Sequence, residues 1–214
     1  MVALRQLGLM DYGLALHAQA SALREVQSGE LAGIVLAVRH PTVITLGRRA
    51  AADEVHVERW ARRARNIGLY WVDRGGGATF HYPAQAVVYP IVHLARLGLT
   101  VDGLIGLIGK AVLGILTQHD IRAIWDSTRP GAYQDNAKIA SVGLHLHGEF
   151  TTHGVALNVG PGLEGFGLID PCKVPGQAVT CMETLCGHAL DAATIVTDLS
   201  EGLTALLRPR ERTI

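Results

Sequence analysis

The sequence predicts an α/β (α+β) fold: a single domain with a mixed β-sheet flanked by helices. Three observations predict it. The chain has 214 residues with 49% hydrophobic content, enough to close one core. Short β-branched runs occur in pairs and singly between longer segments of helical periodicity, a pattern that favours a mixed sheet with helices packed on it. No internal repeat or low-complexity linker divides the chain, so residues 1–207 are expected to form one domain and 208–214 a polar tail.

The elements follow in order. A helix is expected from about Tyr12 to Gln27, with Leu14, Leu16, Leu23 and Val26 among its apolar residues and Ser28-Gly29 as its stop. Gly33 to Val38 is short, continuous and β-branched, as in a buried strand, and it ends at His40-Pro41. A second helix is predicted over Val55 to Arg65, then a strand over Leu69 to Asp73 after Gly68. Ala86 to Ile91 reads as a strand, and Pro90 within it implies an edge or a strand end. Asp102 to His119 carries leucine and isoleucine at helical spacing despite four glycines, each costing about 1 kcal/mol against alanine, so burial must offset the loss. Ile121 to Trp125 is predicted as a strand. Lys138 to His147 and Phe150 to Val159 form a hairpin turning at Gly148-Glu149, and Asp191 to Leu207 is a closing helix.

Charge and cysteine content exclude several functions. The 19 basic and 19 acidic residues leave no basic excess to drive phosphate binding, so nucleic acid is not an expected partner. The N-terminal residues lack the pattern of a secretory signal and no apolar run reaches ~18 residues, so no membrane role and a cytoplasmic location are expected. Cys172, Cys181 and Cys186 contain no CxxC pair and are expected to be free thiols rather than zinc ligands or disulfides.

Chemistry centres on three segments. Arg74-Gly-Gly-Gly-Ala-Thr-Phe-His81 follows a predicted strand and allows close approach of a ligand to the main chain, although its spacing matches no nucleotide-binding motif. Its structural alternative is a tight loop with a glycine bulge. Cys172 lies between Pro171 and Pro175 and beside Asp170 and Lys173, a stiff and accessible setting for a thiol that would otherwise be an inert core residue. A thiol of pKa ~8.5 is only about 3% ionised at neutral pH, so a neighbour must activate it. His153 would make a Cys/His pair and Lys138 a Cys/Lys pair; spacing alone does not choose. On the hairpin, His145 and His147 form an HxH pair near His153, a possible metal pattern, but with Lys138 and glycines as company no metal is expected. Arg59, Arg62, Arg63 and Arg65 form a basic stretch that could receive an acidic carrier or simply face solvent.

Five blocks in order resemble one family. They are His40-Pro-Thr-Val-Ile-Thr-Leu-Gly-Arg48; Arg74 to His81 with Gln85; Lys138-Ile-Ala-Ser-Val-Gly143; Thr152-His-Gly154 with Asn158; and Pro171-Cys172 with Val179-Thr180. From Ala32 to Leu185 the chain resembles the lipoyl(octanoyl) transferases of the biotin/lipoate protein ligase superfamily. The resemblance implies that Cys172 takes octanoate from octanoyl-acyl carrier protein as a thioester. The acceptor is then a lysine on a lipoyl domain of a 2-oxoacid dehydrogenase or of the glycine-cleavage carrier protein. By the same resemblance Lys138 depresses the thiol pKa and shuttles protons. Substrate-binding segments fall on Arg74, Gly75, Gly76, Gly77, Ala78, Thr79, Phe80 and His81, on Ser141, Val142 and Gly143, and on Gly154, Val155 and Ala156. His153 becomes an orienting neighbour, and no cofactor is implied. Lys173, Tyr82 and Ala84 depart from the family pattern. The alternatives are an ATP-dependent lipoate or biotin ligase of the same fold and an inactive protein that binds an acylated carrier.

Overall fold

The computed structural model describes residues 1–56, 58, 61, 65–170 and 177–208. Among the described residues, ten strands form two sheets. In chain order they are β1 (Val2–Leu9), β2 (Gly33–Arg39), β3 (Val43–Leu46), β4 (Gly68–Trp71), β5 (Ala78–His81), β6 (Gln85–Val92), β7 (Ile124–Asp126), β8 (Gly131–Gln134), β9 (Ala137–His147) and β10 (Phe150–Asn158). The large sheet has the order β1-β2-β6-β10-β9-β8-β7, and the small one β4-β3-β5. Among these ten strands β1/β2 and β3/β4 pair in parallel and the other neighbours antiparallel, so both sheets are mixed.

Among the elements described in full, the α-helices are α1 (Tyr12–Ser28), α2 (Val101–Gln118), the short α3 (Met182–Cys186) and α4 (Ala192–Leu206). Side-chain alternation along β2 explains the layering. Val35 and Ala37 face the side of Ile195 and Leu199 of α4, in one core cluster with Leu104, Ile108 and Val112 of α2, whereas Ile34, Leu36 and Val38 cluster with Ala15, Ala22 and Val26 of α1. Both faces of β2 are therefore covered, which is why its sequence reads as a continuous apolar run. Asp11 caps α1 through Gly13 and Leu14, and Gly29 ends it in the left-handed conformation. The buried face of α1 consists of smaller side chains than its leucines suggest: Leu14 is exposed and Ala15, Gln19 and Ala22 are buried. The helix Val101–Gln118 is long and apolar enough, by length and composition only, to cross a membrane. Here Leu104, Ile108, Val112 and Leu116 lie in the core.

Pro90 does not mark an edge. It pairs with Val35 inside β6, between β2 and β10, in the centre of the large sheet. The sheet accommodates the missing N–H because the regular β6/β10 ladder covers only Gln85 to Val88. Beyond it His153 adopts φ +59°, and its N–H donates to Gln19 Oε1 at 2.8 Å instead. The Thr151 hydroxyl donates to Pro90 O at 2.7 Å and accepts from Val92 N at 3.1 Å, replacing the absent main-chain bonds.

Other boundaries moved modestly. The strand predicted over Ile121 to Trp125 is Ile124–Asp126, and β1, β3, β5 and β8 lie where the sequence predicts no strand. Most of the predicted helix from Val55 to Arg65, with Arg59, Arg62 and Arg63, lies outside the described residues, as do tail residues 209–214.

Candidate active site

The glycine segment links the two sheets. Arg74 is buried; its Nη2 donates to Thr45 O at 2.7 Å and Oγ1 at 2.9 Å, and its Nη1 donates to Gly75 O at 2.9 Å. Gly75 N donates to Leu144 O of β9 at 2.8 Å, while Arg48 N and Arg49 N donate to Arg74 O and Gly76 O. Gly76 sits at φ +89°, a conformation that side-chain-bearing residues rarely adopt. Three successive residues thus keep their main chain tied to β9 on one side and to residues 47–49 on the other. The buried Glu54 carboxylate holds the exit, accepting from Ala78 N at 2.8 Å and Ala51 N at 2.7 Å.

Beneath this loop lies a buried polar network. His40 Nδ1 is 2.9 Å from Met10 O, which only accepts, so Nδ1 carries the proton and Nε2 accepts from Tyr89 Oη at 2.8 Å. Burial pushes His40 down to about 4 and His81 to about 3, fixing both as neutral imidazoles. Burial also raises Tyr12 to about 12 and Tyr89 well above its ordinary value, so both phenols stay protonated. His81 Nδ1 donates to Gln85 Oε1 at 2.7 Å, Gln85 Nε2 donates to Asn158 Oδ1 at 2.9 Å, and Asn158 Nδ2 donates to Thr180 O at 3.0 Å. The chain of bonds therefore runs from the glycine segment through β6 and β10 to the residues beside Lys138.

Two cavities flank this network. One is lined by Tyr12, Arg74, Thr79, Tyr89, Gly143 and Gly154, among others, and is mainly apolar. The second is lined by Lys138, Tyr133, Asn158, Phe166, Gln177 and Val179, and both share Gly76, Thr79, Ser141 and Val142. Lys138 is largely buried, with Nζ 5.4 Å from the centre of the Tyr133 ring. Its main chain is clamped by Ala178–Thr180: Lys138 N donates to Ala178 O at 2.8 Å, and Thr180 N donates to Lys138 O at 3.0 Å.

Residues 11–204 match the model of the lipoyl protein ligase A/B catalytic domain. An octanoyltransferase of Pseudomonas syringae pv. syringae (strain B728a) is 37% identical over 184 residues, spanning 86% of this chain and 81% of the relative. The octanoyltransferase of Roseiflexus sp. (strain RS-1) is 34% identical over 209 residues, spanning 94% and 85%.

The chain belongs to the octanoyltransferase family. It is thus an acyltransferase. The fold extends further. A crystal structure of lipoate-protein ligase A bound with ATP superposes with a TM-score of 0.72 at 18% identity, covering 94% of this chain and 84% of the other. Biotin protein ligase from Aquifex aeolicus superposes at 0.51 and 10% identity, covering 96% and 68%.

For this octanoyltransferase-family chain the three predicted segments converge. Arg74, Gly75, Gly76, Thr79, His81, Ser141, Val142, Gly143, His153, Gly154, Val155 and Ala156 all line the first cavity. Gly77 is not among its lining residues, and Ala78 and Phe80 instead pack in a separate cluster with Ile44, Leu46 and Phe166. Cys172, with Lys173, lies outside the described residues; Cys181 and Cys186 are free thiols. His153 Nε2 donates to Asp73 Oδ1 at 2.7 Å. That bond is the main reason the Asp73 carboxyl is held at about 2. Tyr82, a departure from the family pattern, leaves the first cavity untouched: it stacks on Phe80 and donates to Gly160 O at 3.2 Å. Tyr12, Val87 and Tyr89 complete the lining but gave no sequence signal beyond ordinary helix and strand residues.

Proposed function

We propose that this chain transfers an octanoyl group from octanoyl-acyl carrier protein to a lysine of lipoyl domains, in the cytoplasm, with residues 1–207 as the catalytic unit. The observation that carries the reading is the junction of the two cavities at Gly76, Thr79, Ser141 and Val142, which sets a largely buried ammonium beside an apolar slot. An acyl chain gains by leaving water for such a slot, by about 0.8 kcal/mol per methylene.

In the first step the Cys172 thiolate attacks the donor thioester carbonyl. The C–S bond to the carrier breaks, and the departing thiolate takes a proton from Lys138. In the second, the acceptor amine attacks the new thioester, an amide forms as the C–S bond to Cys172 breaks, the amine gives its proton to Lys138, and the Cys172 thiolate is restored. Lys138 stabilises the thiolate as a neighbouring cation and relays these protons. Gln177, five positions after Cys172, lines the Lys138 cavity, which supports the pairing of the two residues. His81, Gln85 and Asn158 hold the cavity walls, and Arg74 fixes the main chain of Gly75 and Thr45 around the acyl slot.

Thioester exchange is nearly isoenergetic and amide formation from a thioester is downhill, so the reaction needs no ATP. The test supplies octanoyl-acyl carrier protein and an apo lipoyl domain without nucleotide. The reading expects octanoylated domain; product formed only from free octanoate and ATP contradicts it in favour of a ligase.

A further inference from the structure

The hairpin histidines meet a carboxylate that their own segment did not reveal. His145 and His147 alternate on one face of β9, with rings perpendicular and centroids 4.5 Å apart. They face Asp73, which follows β4: Asp73 Oδ2 is 3.4 Å from His145 Nε2 and 3.8 Å from His147 Nε2. The other oxygen, Oδ1, accepts the short bond from His153. Oδ2 therefore has two imidazole nitrogens aimed at it from distances too long for good hydrogen bonds. Those separations suit a different arrangement. Bonds of about 2.0–2.1 Å around a tetrahedral ion put its ligand atoms about 3.3 Å apart.

We propose that Asp73, His145 and His147 bind a divalent ion of the zinc class at the rim of the acyl cavity. The three ligand atoms already lie within 4.8 Å of one another. His145 and His147 are fixed on a regular antiparallel ladder, opposite Thr152 and Phe150. His147 is partly exposed and also lies 3.3 Å from Thr152 Oγ1, a weak contact that the ion replaces. His153, 3% exposed, is the outer partner that orients the ligating carboxylate. Two imidazoles and one carboxylate match the donor set that zinc, cobalt, nickel and copper share. The fourth position opens outward beside Asp73, whose side chain is 49% exposed. The absence of a metal was the expectation from the hairpin alone; Asp73 lies 72 positions before His145 in sequence and supplies the anion that the HxH pair lacked.

Titrating tag-free protein with Zn2+ against a chromophoric chelator, and with Co2+ by visible absorption, tests the site. The wild type is expected to bind one equivalent of either probe, with an intense tetrahedral Co2+ spectrum. Asp73→Asn and His147→Gln should each weaken Zn2+ by at least about tenfold, and His145→Gln/His147→Gln should remove the spectrum. Because the cysteines are untouched in these variants, a stoichiometric signal that survives in the double variant overturns the proposal. So does a wild type that binds neither probe. Circular dichroism of each variant at wild-type thermal midpoint separates ligand loss from unfolding.

Discussion

Acidification from about pH 7.5 to about pH 4.5 should destabilise the fold through two buried imidazoles, on the order of 2–3 kcal/mol each. His40 and His81 have folded values of about 4 and about 3, against an ordinary 6.5. Both are depressed, so as pH falls the unfolded chain takes up protons before the folded one. Their contribution is whole above 6.5 and drains away between there and the folded values. At pH 4.5 the imbalance for His40 comes to about 2.5 kcal/mol, and for His81 slightly more, with unit difference in pKa worth about 1.4 kcal/mol. The rings are 5.6 Å apart and each charge disfavours the other in the folded state, which helps hold the folded values down, so the sum is roughly 5 kcal/mol. Asp73, held at about 2, titrates below this window. With a urea slope of ~3 kcal/mol per M for a chain of this size, the midpoint should fall by roughly 1.5 M. Urea unfolding at both pH values measures it, beside His81→Asn, which should flatten the dependence by about half. A midpoint unchanged between the two pH values refutes the assignment of both histidines as buried neutral groups.

Two further outcomes follow from the site. Lys138→Met keeps an apolar stem against Tyr133 but removes the cation; for a thiol that the lysine brings from ~8.5 to ~7, its loss cuts the thiolate near neutral pH ~16-fold and the more basic thiolate gives back ~5-fold, so acylation should fall at least ~3-fold and recover as pH rises. Stopped-time acylation across pH checks this, and wild-type rates at neutral pH contradict it. Gly154→Ala would drive a methyl into Val88 O and to 2.7 Å from Pro90 Cδ, so β6 and β10 must separate. A cost of about 2–4 kcal/mol in urea unfolding is expected, and a change under ~0.5 kcal/mol would show that the strands part freely there.

Much of the architecture was legible because burial leaves a period. β2, α1, α2 and the β9/β10 hairpin are long, or continuously apolar, or bounded by glycine and capping residues. Pro90 misled because proline in a strand argues for an edge from local chemistry, whereas here Thr151 and Gln19, distant in sequence, supply the missing partners. β3 and β5 are only four residues long; β5 sits inside the glycine segment, which reads first as a ligand loop, and β3 inside a block that carries the family resemblance but no strand signal. The glycine segment, Ser141 to Gly143 and Gly154 to Ala156 were recoverable as chemistry-bearing stretches, and the fold brings them together. The Asp73 contact with three histidines and the His40–Tyr89 pair were not. They depend on which loop crosses which strand, and no spacing along the chain encodes that.

The most direct test of the account is the intact mass of the protein after incubation with octanoyl-acyl carrier protein alone, without ATP or acceptor. One octanoyl group per chain, mapped to Cys172 and absent as a thioester in Cys172→Ser, is the predicted result. No adduct, or the same hydroxylamine-labile adduct in Cys172→Ser, would contradict it.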